Sequence, residues 1–242
     1  MNSIQHNNTN RLALLPTTVR TEDGIDHFNN PHPRCPVALL LDTSISLSGP
    51  PIAELQSGVQ AFFAALSADE LATLRVDLTC FTFGGYVQQV VPFGATVEGL
   101  AARPPQLTAN GGTPLGEAVR TAVGAIEARR KVYRDCALAA YRPWVIILSD
   151  GEPNDLGWEG AADQLRQFAQ NGWNVVAVGI GDRANLEVLQ RFAVHPVRRL
   201  SAMHFREFFT WLSDSLKVNS RSHTTATTCA GLPSELPGVP AL

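Results

Sequence analysis

Charge is scarce in this chain and nearly balanced. Its 242 residues carry 22 acids against 19 bases, a net charge of −3. Such a balance gives no electrostatic footprint for nucleic acid or for an anionic membrane surface. Cysteine is also sparse: Cys35, Cys80, Cys136 and Cys229 form no CxxC pair, which excludes a zinc-ribbon pattern and a disulfide framework. No apolar run approaches the roughly 18 residues of a membrane span. Met1 to Arg20 has no basic start, and Leu12 to Leu15 is too short for a signal-peptide core, so a cytoplasmic protein is expected. No G-x-G-x-x-G follows the first apolar strand, which removes the glycine cradle of a dinucleotide site. G-x-S-x-G is missing too, and with it the nucleophile elbow of a hydrolase; His195 and His204 read as surface or capping residues.

What is present is enough apolar material for a sizeable core, 45% of the residues. Val37 to Leu41 is a continuous apolar run, the pattern of a strand buried on both faces of a parallel sheet. Gly49-Pro50-Pro51 opens a helix whose apolar face is Ile52, Leu55, Val59, Phe62, Phe63 and Leu66. Arg75 to Phe83 and Tyr86 to Val91 read as strands joined by a tight Gly84-Gly85 turn, hence antiparallel, with Cys80 a small buried hydrophobe. A long loop is expected from Pro92 to Gly112. A helix follows with Leu115, Val119, Val123 and Ile126, ending in Arg129-Arg130-Lys131 as the helix dipole prefers.

Trp144 to Leu148 and Asn174 to Ile180 are further buried strands, separated by a helix from about Glu159 to Gln170. Asn185 to Phe192 reads as a short helix, Val197 to Leu200 as an edge strand, and His204 to Leu216 as a last amphipathic helix. Trp158 and Trp173 read as packing residues. The expected organisation is an irregular arm at residues 1–34, one domain at 35–216 and a Ser/Thr- and Pro-containing tail at 217–242. Strands alternating with helices make it a doubly wound α/β domain, mostly parallel, with helices on both faces. Hydroxyls at Ser220, Ser222, Thr224, Thr225, Thr227 and Thr228 make the tail either a kinase target or an inert end.

Three strand-to-helix loops carry oxygen side chains. Asp42, Ser44 and Ser46 alternate just past the first strand, Thr113 precedes a helix, and Asp150 follows the Trp144 strand. Crossover connections bring such loops to the carboxyl edge of the sheet, where open α/β folds bind ligands. Hard oxygens suit Mg2+ or Mn2+. An octahedral ion can take the hydroxyls of Ser44, Ser46 and Thr113, with Asp42 and Asp150 orienting waters. Two acids leave the ion electrophilic, so an anionic oxygen from a partner completes the set. Each loop also has a plain reading. Asp42 to Ser46 can be a small-residue turn, Thr113-Pro114 a helix cap with proline at the first helical position, and Asp150-Gly151 a turn. Glu152 and Asp155 read as solvated loop acids.

Asp-Thr-Ser-Ile-Ser, Gly-Gly-Thr-Pro-Leu-Gly and Leu-Ser-Asp-Gly-Glu-Pro resemble the three parts of the metal-ion-dependent adhesion site of von Willebrand factor type A (VWA) domains. The resemblance covers about residues 35 to 216. It implies a Rossmann-like six-stranded sheet of order 3-2-1-4-5-6 with one antiparallel edge strand. It also implies protein binding rather than catalysis, with a partner Asp or Glu completing the Mg2+ shell. Ile45 and Leu47 stand where the usual motif has Gly and Met; neither is a side-chain ligand, but a β-branched residue resists a left-handed backbone. Val-Ala-Leu-Leu-Leu-Asp-Thr-Ser, Gly-Pro-Pro-Ile and Arg-Pro-Trp-Val-Ile-Ile-Leu-Ser-Asp-Gly-Glu-Pro look most like the bacterial TerY-like group linked to tellurite resistance. That implies a stress or signalling setting beside a PPM-type phosphatase and a serine/threonine kinase.

The rival expectation is a HAD-like phosphotransferase with Asp42 as nucleophile, Ser149 on phosphate, Lys131 as charge partner and Gly181-Asp182 at the metal. Ser44 stands where such an enzyme needs its second acid, and Thr113 has no role in it.

Overall fold

The computed structural model describes residues 30–200 and 205–221. Its centre is β1 (Cys35–Asp42), every residue of which is buried. An apolar run can be buried on both faces only if strands flank it, and β2 (Val76–Gly84) and β4 (Trp144–Ser149) pair with it in parallel on either side. β3 (Tyr86–Val91) turns back antiparallel on β2, while β5 (Asn174–Ile180) and β6 (Arg198–Leu200) extend the parallel side. The order is β3-β2-β1-β4-β5-β6, as expected, with β3 the antiparallel edge.

Period-two alternation sends the side chains of β1 to two cores. Val37, Leu39 and Leu41 face α1 (Pro50–Ser67), together with Phe62, Phe63, Phe208 and Phe209. Ala38 and Leu40 face α4 (Leu115–Asp135) and α5 (Trp158–Gln170). Each of these leucines contributes about 1.5–3 kcal/mol by burial. The helix over Phe205–Arg221, α7 once the intervening short ones are counted, packs on α1. Trp158 stacks on Phe192 and Trp173 on Phe168, both in packing roles. Among the described residues no helix is long and apolar enough to cross a membrane.

Three expectations need correction. Arg75 does not begin β2; it ends a short helix, α2 (Glu70–Arg75), whose N-terminus is capped by Asp69 accepting from Ala72 N at 2.9 Å. The segment Pro92 to Gly112 is not all loop. It contains α3 (Val97–Ala102), capped by Thr96, with Val97 and Leu100 in the core. Both helices are under two turns, too short to show a period. The last helix continues past Leu216 to Arg221, so the first residues assigned to the tail, Ser220 among them, are helical. The 1–29 part of the arm, His204, and 222–242 with Cys229 lie outside the described residues. A short helix, α6 (Leu186–Gln190), lies between β5 and β6.

A buried ionic cluster ties the far end of β2 to α4. Asp77 Oδ2 accepts from Arg129 Nε at 2.7 Å and from Tyr133 Oη at 2.6 Å, and Oδ1 accepts from Gly94 N at 3.0 Å. Both carboxylate oxygens thus meet donors, the condition under which a buried charge is tolerated.

Candidate metal centre

Asp42 is the last residue of β1 and Ser149 the last of β4. Parallel register sets these ends side by side, and Ser149 Oγ donates to Asp42 Oδ2 at 2.5 Å. The other oxygen, Oδ1, accepts from Ser44 N at 2.8 Å, which turns the chain out of the strand. Asp42 is fully buried, and burial pushes its carboxyl up to about 6, with the Ser149 and Ser44 bonds opposing the rise and the nearby Asp150 adding to it.

After Ser44 the chain enters a 3-10 turn, Ile45–Leu47, and among the described residues only Ala137 has a positive φ without being glycine. Isoleucine at 45 is therefore compatible with the loop, because no left-handed residue is needed there. The turn brings Ser44 Oγ within 2.9 Å of Ser46 Oγ, and Ser46 Oγ donates to Asp150 Oδ2 at 2.5 Å. Asp150 Oδ1 accepts from Glu152 N at 3.2 Å. Hydroxyl, hydroxyl and carboxylate thus form one chain across two loops.

The Thr113 loop is stitched to both neighbours through the backbone. Ile45 N donates to Gly111 O at 3.0 Å, Asn110 N to Thr43 O at 2.7 Å, and Gly85 N to Gly112 O at 2.8 Å. Gly84 is required for this contact, since a Cβ there would lie 2.3 Å from the Thr43 carbonyl oxygen. On the other side Thr113 N donates to Asn154 Oδ1 at 3.0 Å and Asn154 N to Thr113 O at 3.1 Å. Asp42, Ser44, Ser46, Thr113 and Asp150 are thus carried on three loops that touch one another at one sheet edge.

The expected cap is a different residue. Pro114, not Thr113, occupies the N-cap of α4, and it caps nothing with its side chain. Asp155 does that work: Oδ1 accepts from Gly116 N and Oδ2 from Glu117 N. Asp155 is therefore not the solvated acid expected, whereas Glu152 is exposed. Thr113 is buried, and its hydroxyl makes no hydrogen bond among the described residues.

The residues fit a hard divalent cation. The donors are all oxygen, the Thr113 hydroxyl is unclaimed among the described residues, Asp150 is bonded to the Ser46 hydroxyl, and Asp42 is bonded to the Ser44 backbone. Among the described residues no three His, Cys, Asp or Glu side chains gather as a cage, which disfavours a soft-metal site. Ser149 and Asn154 escaped the sequence as supports of the site. For Ser149 a signal existed: two parallel neighbours end at Asp42 and Ser149. The phosphotransferase arrangement fails on Lys131, which pairs with Asp135 late in α4. With about 1.5 Å of rise per residue, that lies over 20 Å from the helix start beside the site. Asp182 does reach the same edge, in a cleft shared with Ser46 and Asp150.

The sequence matches the model of the von Willebrand factor type A domain over residues 37–213. The chain belongs to that family. No curated protein matches it. Among solved structures, this VWA chain is similar in fold to the vWF domain of the type V pili tip protein Mfa5 from Porphyromonas gingivalis. That likeness has a TM-score of 0.63 at 12% identity, over 80% of this chain and 98% of that one. Manganese-loaded Plasmodium vivax TRAP protein gives a TM-score of 0.50 at 19% identity, over 73% of each chain. Proximal thread matrix protein 1 from the mussel byssus, with a zinc occupied MIDAS motif, gives 0.56 at 16% identity over 77% of this chain. This VWA chain spans 48% of that protein, about half its length.

Proposed function

We propose that this VWA domain is a metal-dependent protein-binding module. Ser44, Ser46 and Thr113 would hold one Mg2+, with Mn2+ as a substitute, and Asp42 and Asp150 would act from behind. The cation supplies a Lewis-acidic position for a carboxylate oxygen, and a partner Asp or Glu fills it. The observation that carries this is the convergence of three oxygen-bearing loops in which the hydroxyl of Thr113 makes no hydrogen bond among the described residues. Ser149 holds Asp42 in place, and Asn154 fixes the Thr113 backbone.

The finer setting rests on the motif resemblance. A TerY-like role places the protein in the bacterial cytoplasm, in a stress or tellurite-resistance module with a PPM-type phosphatase and a serine/threonine kinase as partners. The chain itself then binds and does not turn over substrate. Calorimetric titration with Mg2+ and Mn2+ tests the metal, and pull-down of the phosphatase and kinase with and without EDTA tests the partners. Binding that is EDTA-sensitive and lost in Asp42→Ala is the expected result. Equal retention in EDTA, or phosphate release that disappears with Asp42→Asn, sinks the proposal.

A further inference from the structure

Beside the metal centre, starting from Thr43, lies a trough of about 280 Å3 whose lining includes Thr82, Tyr86, Gln88, Thr108 and Asn110. Thr82 and Gln88 are cross-strand partners on β2 and β3, as are Gly84 and Tyr86, so their period-two positions share one face. The 105–107 backbone is pinned by Gln56 of α1, which donates to Pro105 O and accepts from Leu107 N. The trough is a built feature, held from two sides.

Of its polar side chains, Gln106 donates to Pro104 O. Thr43 and Thr82 are only 5% and 9% exposed, yet neither hydroxyl makes a hydrogen bond among the described residues. The same holds for the side chains of Gln88, Thr108 and Asn110. Elsewhere on β2, Thr79 shows what a buried threonine does otherwise: it donates to Val91 O and accepts from Gln89 Nε2. Among the described residues neither hydroxyl is a fully enclosed polar atom, so both open onto the trough, where water or an outside group meets them.

The lining selects the chemistry of that group. No Asp, Glu, Lys or Arg lines the trough. A charged group entering it would lose hydration without a counter-charge. A hydrocarbon would leave hydroxyls and amides unpaired. A carboxamide both donates and accepts, matching a mixed wall of threonines and amides, and the ring of Tyr86, 60% exposed, flanks it.

We propose that the trough is a second subsite of the partner-binding face, taking an Asn or Gln side chain that lies within a few residues of the metal-seeking acid. The inference rests on the metal-dependent reading above, because Thr43 adjoins Ser44 and one bound segment spans both places. It assigns specificity to the trough and affinity for acid to the metal centre.

A library of peptides with a fixed central Asp and random flanks, selected on the full chain in Mg2+ and eluted with EDTA, tests it. The expected result is enrichment of Asn or Gln at one flanking position. Thr82→Val and Gln88→Leu should remove that enrichment and weaken a selected peptide about three- to ten-fold, with Mg2+ binding and melting temperature unchanged. EDTA-eluted peptides with no carboxamide preference, or equal binding by Thr82→Val, overturn the subsite alone. Recovery of no EDTA-sensitive peptide overturns the metal-dependent reading and the subsite with it. Neutral glycans retained by the wild type and lost in Thr82→Val would give the trough to carbohydrate and overturn the peptide assignment.

Discussion

Asp155 caps a helix from 39 residues further along the chain than the donor it meets, its Oδ1 accepting from Gly116 N at 3.0 Å. Its second oxygen takes Glu117 N at 2.8 Å and meets Arg120 at 3.2 Å. Two orphan donors at the start of α4 are thereby satisfied by a negative charge at the positive end of the helix. Position 116 must be glycine for this approach, since a Cβ there would lie 2.7 Å from Asp155 Oδ2. Asp155→Ala should lower unfolding free energy by about 1–2 kcal/mol and weaken divalent-cation binding, because Thr113 directly precedes the loosened turn. Urea unfolding and calorimetry check the two effects. An unchanged urea midpoint would sink the capping account.

Thr113 and Ser149 separate ligation from support. Thr113→Val removes a hydroxyl that makes no hydrogen bond among the described residues, so stability should be unchanged while cation affinity falls at least about ten-fold, the effect of one lost oxygen ligand. Ser149→Ala removes a donor from buried Asp42 and an acceptor from Gly151 N. It should cost about 1–3 kcal/mol as well as cation affinity. Thermal melts with and without Mg2+ distinguish the pair. The idea fails if both variants melt alike and bind alike.

Asp42 gives a pH dependence whose sign follows from its folded value of about 6 against 3.8 in the unfolded chain. The folded state holds the proton more tightly, so this residue's favourable contribution is full below 3.8 and is lost as pH rises through about 6. At pH 8 in EDTA the ionised group therefore costs on the order of 3 kcal/mol relative to pH 3. Asp42→Asn has no such group. Its stability relative to wild type should rise between pH 5 and pH 8 in EDTA, and saturating Mg2+ should shrink that gain. Parallel pH curves for the two proteins in EDTA would contradict it.

The Asp77–Arg129 pair lies far from the site and tests the fold alone. Both side chains are 7% exposed. Arg129→Ala leaves Asp77 buried with one strong donor fewer and should cost about 3–5 kcal/mol. Arg129→Ala with Asp77→Asn should recover part of that, since the stranded charge is gone. Chemical denaturation of the three proteins reads it out. A single mutant as stable as wild type would mean that Asp77 is solvated after all.

Much of this was written in the pattern of the chain. A run such as Val37 to Leu41 has no polar face, and only a strand between two others can use it. Gly84-Gly85 announced the antiparallel pair of β2 and β3. The carboxyl edge followed from crossover handedness, which gathers Asp42, Thr113 and Asp150 without reference to side-chain detail. Other parts had no local signal. α2 and α3 are each too short for a hydrophobic period, and their cores are set by what packs on them. The cap of α4 comes from Asp155, a partner across a loop that spacing cannot reveal. Thr113 looked like that cap because Thr-Pro at a helix start is a sound local rule, and a distant carboxylate displaced it. The free hydroxyls of Thr43 and Thr82 depend on the strand pairing and the pinned 105–107 segment together.

The placement of β1 also has a consequence in time. Its two neighbours, β2 and β4, come from regions far apart along the chain, and Ser149 meets Asp42 across 107 residues. During synthesis, β1 can pair with β2 early, but its other edge stays open until β4 has left the ribosome. For that interval a strand that is buried along its whole length in the finished fold presents an unpaired edge, a state prone to sticking. The pairing that closes this edge is also the one that brings Asp150 to Ser46. The proposed cation site can therefore assemble only once β4 is made and both edges of β1 are closed.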